Sequence, residues 1–215
     1  AVIVWGDDQY ENFHEDVIPP FCVCAFDDMD IYPWRHAKGS SMFDEGKPNV
    51  WNEGRDVRYR VKGNRKLAKQ LVSGLVEADF DVAYAYKPLH HESFAHAFTN
   101  TILYLDYDRR HGWDYPTIAF PINCYGKRVV SAKGFLSNFA DELDFDPPSP
   151  SPARCMALGA ATAKVLKSMP GRIALVASSS WSHAFMADNT WRVRPDTPSD
   201  RRLYDALVRG DYETW

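Results

Sequence analysis

The sequence predicts an α/β fold: a single domain over residues 1–215, with a mainly parallel or mixed central sheet flanked by helices on both faces. Three observations lead there. Residues 1–5, 117–123 and 173–177 are continuous apolar runs, the pattern of strands covered on both faces. Segments with apolar residues three and four apart lie between such runs, as expected of helices that cover a sheet on one stripe. Strands and helices therefore alternate through short turns, and internal repeats are absent. In that architecture ligands gather at the carboxyl ends of the strands.

Taken in order, Ala1-Val2-Ile3-Val4-Trp5 is the first strand, and it stops at Gly6-Asp7-Asp8, leaving polar side chains just past its end. Residues 27–60 are rich in Gly, Pro, Asp and aromatics and weakly periodic, so they read as mostly loop with short pieces of strand, a candidate lid or partner surface. Asn64 suits the N-cap of a helix whose Leu67, Leu71 and Leu75 recur every four positions. Residues 82–86 read as the next strand. A second helix carries Phe94, Phe98, Ile102 and Leu105 on one stripe, which leaves His96 and Asn100 on another face. Residues 117–123 form a strand ending in Phe120-Pro121-Ile122-Asn123, and the Pro/Ser run at 147–152 is a linker or turn inside the domain. A helix over about 153–168 is closed by Pro170-Gly171. Residues 173–177 read as a buried strand running into Ser178-Ser179-Ser180-Trp181-Ser182-His183. The chain opens directly on a strand without an initiator methionine and stops at Trp215 after a polar, helix-like stretch, so it reads as an excerpt, cut short at both ends.

Composition narrows the function classes. With 45% hydrophobic and 14% aromatic residues, the chain can bury a sizeable core, which argues against disorder of the whole. A formal net charge of −4 with 25 dispersed basic residues offers no footprint for a polyphosphate, so nucleic acid is disfavoured as a partner. No apolar run approaches the roughly 20 residues that span a bilayer, and the first residues lack a signal-peptide pattern. A soluble, cytoplasmic protein without membrane contact is the expectation. Cys22, Cys24, Cys124 and Cys155 lie in apolar stretches without zinc or disulfide spacing and read as reduced packing residues.

Three groups of residues can carry chemistry. His183 lies a few residues past the end of an apolar strand, in a small-residue loop beside Trp181, where an imidazole can transfer protons near neutral pH; its plain alternative is a loop histidine bonded to backbone. His90, His91 and His96 form a second cluster with no tight zinc spacing. The third is Gly6-Asp7-Asp8-Gln9-Tyr10-Glu11-Asn12-Phe13-His14, which mixes carboxylates, an amide and an imidazole suited to Fe(II) or Mn(II), or else forms an acidic turn that caps a following helix.

In order and spacing, these segments resemble the catalytic subunit of class III extradiol ring-cleavage dioxygenases, the LigB-like family of the protocatechuate and gallate type. Gly6-Asp7-Asp8-Gln9 with Phe13 and Ile18-Pro19-Pro20-Phe21 resembles the family's first-strand segment, and Phe120-Pro121-Ile122-Asn123 resembles a later strand. Arg154-Cys155-Met156-Ala157-Leu158-Gly159 is similar to the start of a family helix, and Trp181-Ser182-His183 matches the loop of the acid/base histidine. The resemblance implies His183 as acid/base, His96 as a histidine facing the substrate, and Asn100 and Trp181 as substrate-binding residues. It further implies an Fe(II) cofactor, a small aromatic diol and O2 as substrates, and either a homo-oligomer or a complex with a small partner subunit.

One departure is as informative as the matches. The family holds its iron with two histidines and a glutamate. The first histidine corresponds to a position upstream of residue 1, the glutamate to one beyond residue 215, and the second histidine to Gln9, an amide that is a weaker donor; Glu11 or His14 is a candidate replacement. The rivals are a non-catalytic relative that has lost a metal ligand and a serine hydrolase using Ser178, Ser179 or Ser180 with His183, although no Gly-Xaa-Ser-Xaa-Gly elbow is present.

Overall fold

The computed structural model describes residues 1–36, 49–109, 112–123, 127, 129–131, 145–184 and 187–214. Its strands are β1 (Val2–Gly6), β2 (Cys22–Cys24), β3 (Asp28–Ile31), β4 (Tyr59–Lys62), β5 (Ala83–Ala85), β6 (Thr117–Pro121) and β7 (Ala174–Ala177). The helices are α1 (Pro33–His36), α2 (Arg65–Val76), α3 (His96–Leu105), α4 (Pro152–Lys167) and α5 (Thr197–Arg209).

The main sheet has the order β6-β1-β7, all parallel, with Ile3 opposite Ile118 on one side and Leu175 on the other. A second parallel pair, β2-β5, is tied to it where Phe21 bridges Ile122 and Asn123 donates its backbone N–H to Pro20 O. An antiparallel pair, β3-β4, sets Asp30 opposite Arg60, and these two form an exposed ion pair. Where they are described, residues 27–60 are mostly loop with short strands, as predicted, and also hold the short helix α1; 37–48 lie outside the described residues.

Pleating sends alternate side chains of β1 to opposite faces. Ile3 packs with Leu67, Leu71 and Leu75 of α2 and Leu158 of α4, whereas Val2 and Val4 pack with Phe98 and Ile102 of α3. Helices therefore cover both faces of a mixed α/β fold, and each fully buried side chain of this kind contributes about 1.5–3 kcal/mol. The side chain of Asn64 caps α2 by accepting the Leu67 N–H at 3.0 Å, as its sequence position predicts. Ser151 does the same for α4 through the Arg154 N–H, which moves that helix's start to Pro152. Cys22 and Cys24 are buried free thiols, and Cys155 is a half-buried one; Cys124 lies outside the described residues.

Two expectations need correction. β7 is not a buried strand: Leu175 is 44% exposed and only Val176 is half-buried, because β7 closes one side of the β6-β1-β7 sheet and α5 buries little beyond Ala206. In α3 the stripe does not reach Leu105, which is 63% exposed; Leu103 is buried instead, and Phe94 precedes the helix. No helix among the described residues is long and apolar enough to cross a membrane.

Gly6 links fold to site. A Cβ there would lie 2.9 Å from Ala97 Cβ and 3.3 Å from Phe98 Cε1, so only glycine lets the first turn of α3 press against the end of β1.

Candidate active site

Beyond Gly6 the chain turns sharply around one carboxylate. Asp8 is 1% exposed, and its Oδ2 accepts the backbone N–H groups of Glu11 (3.1 Å), Asn12 (2.9 Å) and Phe13 (2.9 Å). No helix follows, so the acidic turn is an Asp-centred loop and not a helix cap. Gln9 and Tyr10 both sit in the left-handed region, at φ 50° and 62°, which side chains adopt only where surrounding bonds enforce it. Asn12 Oδ1 then accepts the N–H of Leu89 at 2.6 Å, joining this loop to the segment before α3.

The loop delivers Glu11 to α3. Glu11 Oε2 accepts the His96 backbone N–H at 2.8 Å, and Oε1 accepts from His96 Nδ1. His91 Nε2 stands 3.6 Å from the same carboxylate. The bond to Glu11 raises the His96 pKa, against the opposing effect of burial. Burial pushes the Asp7 carboxyl up to about 7, and Asp7 Oδ1 is buried without a hydrogen-bond partner. Asn100 is half-buried one helical turn beyond His96 and so shares its face. His14 stacks between Tyr10 and His90, with ring centroids 4.3 Å from each.

A second group follows β7. The Ser178 N–H donates to Trp5 O and its hydroxyl to Ala97 O, each at 2.7 Å, which fastens the end of β7 to β1 and to the first turn of α3. Ser182 donates its N–H and its hydroxyl to the two oxygens of Asp200, at 3.0 and 2.7 Å, pinning the loop to the first turn of α5. His183 Nε2 lies 2.8 Å from Ser180 Oγ. Trp181, 47% exposed, meets Tyr204 edge to face. Ser180, Trp181, Ser182, His183 and Asp200, with Leu203 and Leu207, line a cleft of about 800 Å³, large enough for an aromatic ring.

The sequence-predicted residues thus fall into two groups, joined through Ser178. His96 and Asn100 stand on α3, with His96 gripped from the Gln9–Glu11 turn. His183 and Trp181 face the cleft against α5, and Gln9, His96 and Asn100 do not line it. Asp200 was invisible in the sequence: it is one acidic residue in a polar helix, and only the fold brings it to Ser182.

Among the described residues no group of three or more His, Cys, Asp or Glu side chains could hold a metal ion. The carboxylates flanking Gln9 are committed elsewhere, Asp8 to three backbone N–H groups and Glu11 to His96. No protein-family model matches the chain, and no curated protein matches it.

Proposed function

We propose that this chain has the LigB-like fold and takes part in Fe(II)-dependent extradiol opening of a catechol-type ring with O2, in the cytoplasm, as a homo-oligomer or with a small partner subunit. One observation carries the reading. Three segments that resemble the family come together at one edge: the end of β1, the start of α3 and the loop after β7, with Ser178 Oγ bonded to Ala97 O at 2.7 Å and Gly6 seated against Ala97. Strand carboxyl ends are where α/β sheets bind ligands.

The chemistry assigned to this chain's own residues is proton handling and substrate placement. His183, beside a cleft with apolar walls, takes the proton of a diol hydroxyl and later returns it. Trp181 offers the ring an aromatic face. His96 and Asn100 stand on α3 outside this cleft, so their role toward the polar end of the substrate requires it to reach past Ser178 to α3. The test is O2 uptake by Fe(II)-supplemented protein over a panel of catechols, with His183→Ala alongside. Uptake by the wild-type protein and its loss in the variant are expected; a variant as active as the wild type removes His183 from the mechanism.

The bond between Ser180 Oγ and His183 Nε2 favours a second reading, a serine hydrolase. Covalent labelling of Ser180 by a fluorophosphonate probe would establish it, and no labelling would retire it.

A further inference from the structure

Glu11 stands 85 positions from His96, yet both oxygens of its carboxylate are spent on that one residue: Oε2 on the backbone N–H, Oε1 on ring Nδ1. Two bonds from one rigid fork to the main chain and the ring of the same residue fix the rotamer as well as the position. The backbone bond also supplies a cap that α3 lacks locally, since Ala95 at the N-cap has no side-chain acceptor. A carboxylate has no proton to give, so the ring nitrogen it meets is the protonated one. Glu11, Asp7 and Asp8 act electrostatically on His96, and all three are acidic.

The Gln9–Glu11 turn is built to deliver this fork. Three N–H bonds to Asp8 hold Gln9 and Tyr10 in the left-handed region, and the next residue is Glu11. We infer that Glu11 is a positioning residue for His96: it locks the imidazole in the Nδ1–H tautomer and holds the ring in one rotamer. The role of His96 toward a diol rests on the ring-opening reading above, whereas the clamp stands on the geometry alone.

The experiment reads the tautomer directly. In protein labelled with 15N-histidine, long-range 1H–15N spectra at alkaline pH, with His96 assigned from the His96→Asn variant, distinguish Nδ1–H from the Nε2–H form that free imidazole side chains favour. His96 is expected as Nδ1–H in the wild type and as Nε2–H in Glu11→Ala, with the His183 signals unchanged as a check of folding. Should Glu11→Ala not fold, Glu11→Gln keeps the volume but presents one acceptor to two donors, and a partial shift toward Nε2–H is expected. A wild-type ring in the Nε2–H form, or Nδ1–H unchanged in whichever variant folds, overturns the assignment. With catechol and Fe(II), the folded variant is expected to lose kcat by on the order of 10²-fold at nearly constant KM. If wild-type protein shows no O2 uptake, the ring-opening reading fails while the tautomer result still decides the clamp.

Discussion

β1 and β7 are hydrogen-bonded neighbours, yet the segments that follow them are built in opposite ways. The turn after β1 is tied into the interior: Asp8 is 1% exposed, and its carboxylate, the amide oxygen of Asn12 and the carboxylate of Glu11 all accept internal bonds. The loop after β7 lies open, with Trp181 47% exposed and His183 beside a cleft. β1 lies between two strands with helices on both faces, whereas β7 lies at the side of the sheet and the loop after it borders the cleft.

The comparison is most exposed at His183. Under the proposed function, His183→Ala lowers turnover by about 10²–10⁴-fold and leaves the denaturation midpoint unchanged; a large stability loss would mean the loop is structural after all. Asp8→Ala should do the reverse, costing about 3 kcal/mol or more in chemical denaturation because three N–H groups near the interior lose their acceptor.

A pH experiment sharpens the buried side. Asp7 has a folded pKa raised to about 7 from an ordinary 3.8, so its ionisation is harder in the folded state. Its contribution to stability is fully present below pH 3.8 and is lost as pH rises through about 7. Asp7→Asn should abolish that loss, so the variant gains on the wild type above pH 7 by on the order of 2–4 kcal/mol. Equal pH profiles for the two proteins would show that Asp7 is solvated.

The smallest effect belongs to the open side. Leu175→Ala on β7 should cost under about 1 kcal/mol, against about 2–5 kcal/mol for Ile3→Ala on β1; equal costs would show that β7 is covered.

Local pattern made much of this legible. The β-branched run of β1, the Leu67/Leu71/Leu75 stripe and the Asn64 cap are interactions within a few residues, so the sequence carries them whole. His183 was marked by its place just after an apolar strand. Burial of β7 is not legible in its sequence, because an apolar strand looks the same at the centre and at the side of a sheet; strand order decides it, and strand order is not local.

By itself, then, the sequence determined the alternating α/β elements, the glycine at the end of β1 and the imidazoles available for chemistry. Tertiary structure alone decided what each polar group is for. Glu11 was a possible metal ligand on paper, and the fold spends it on an imidazole 85 positions away; Asp200 carried no signal, and the fold sets it under Ser182. The physical reason is that a carboxylate's role is fixed by the donor it meets, and across such separations only the packing of strands and helices chooses that donor.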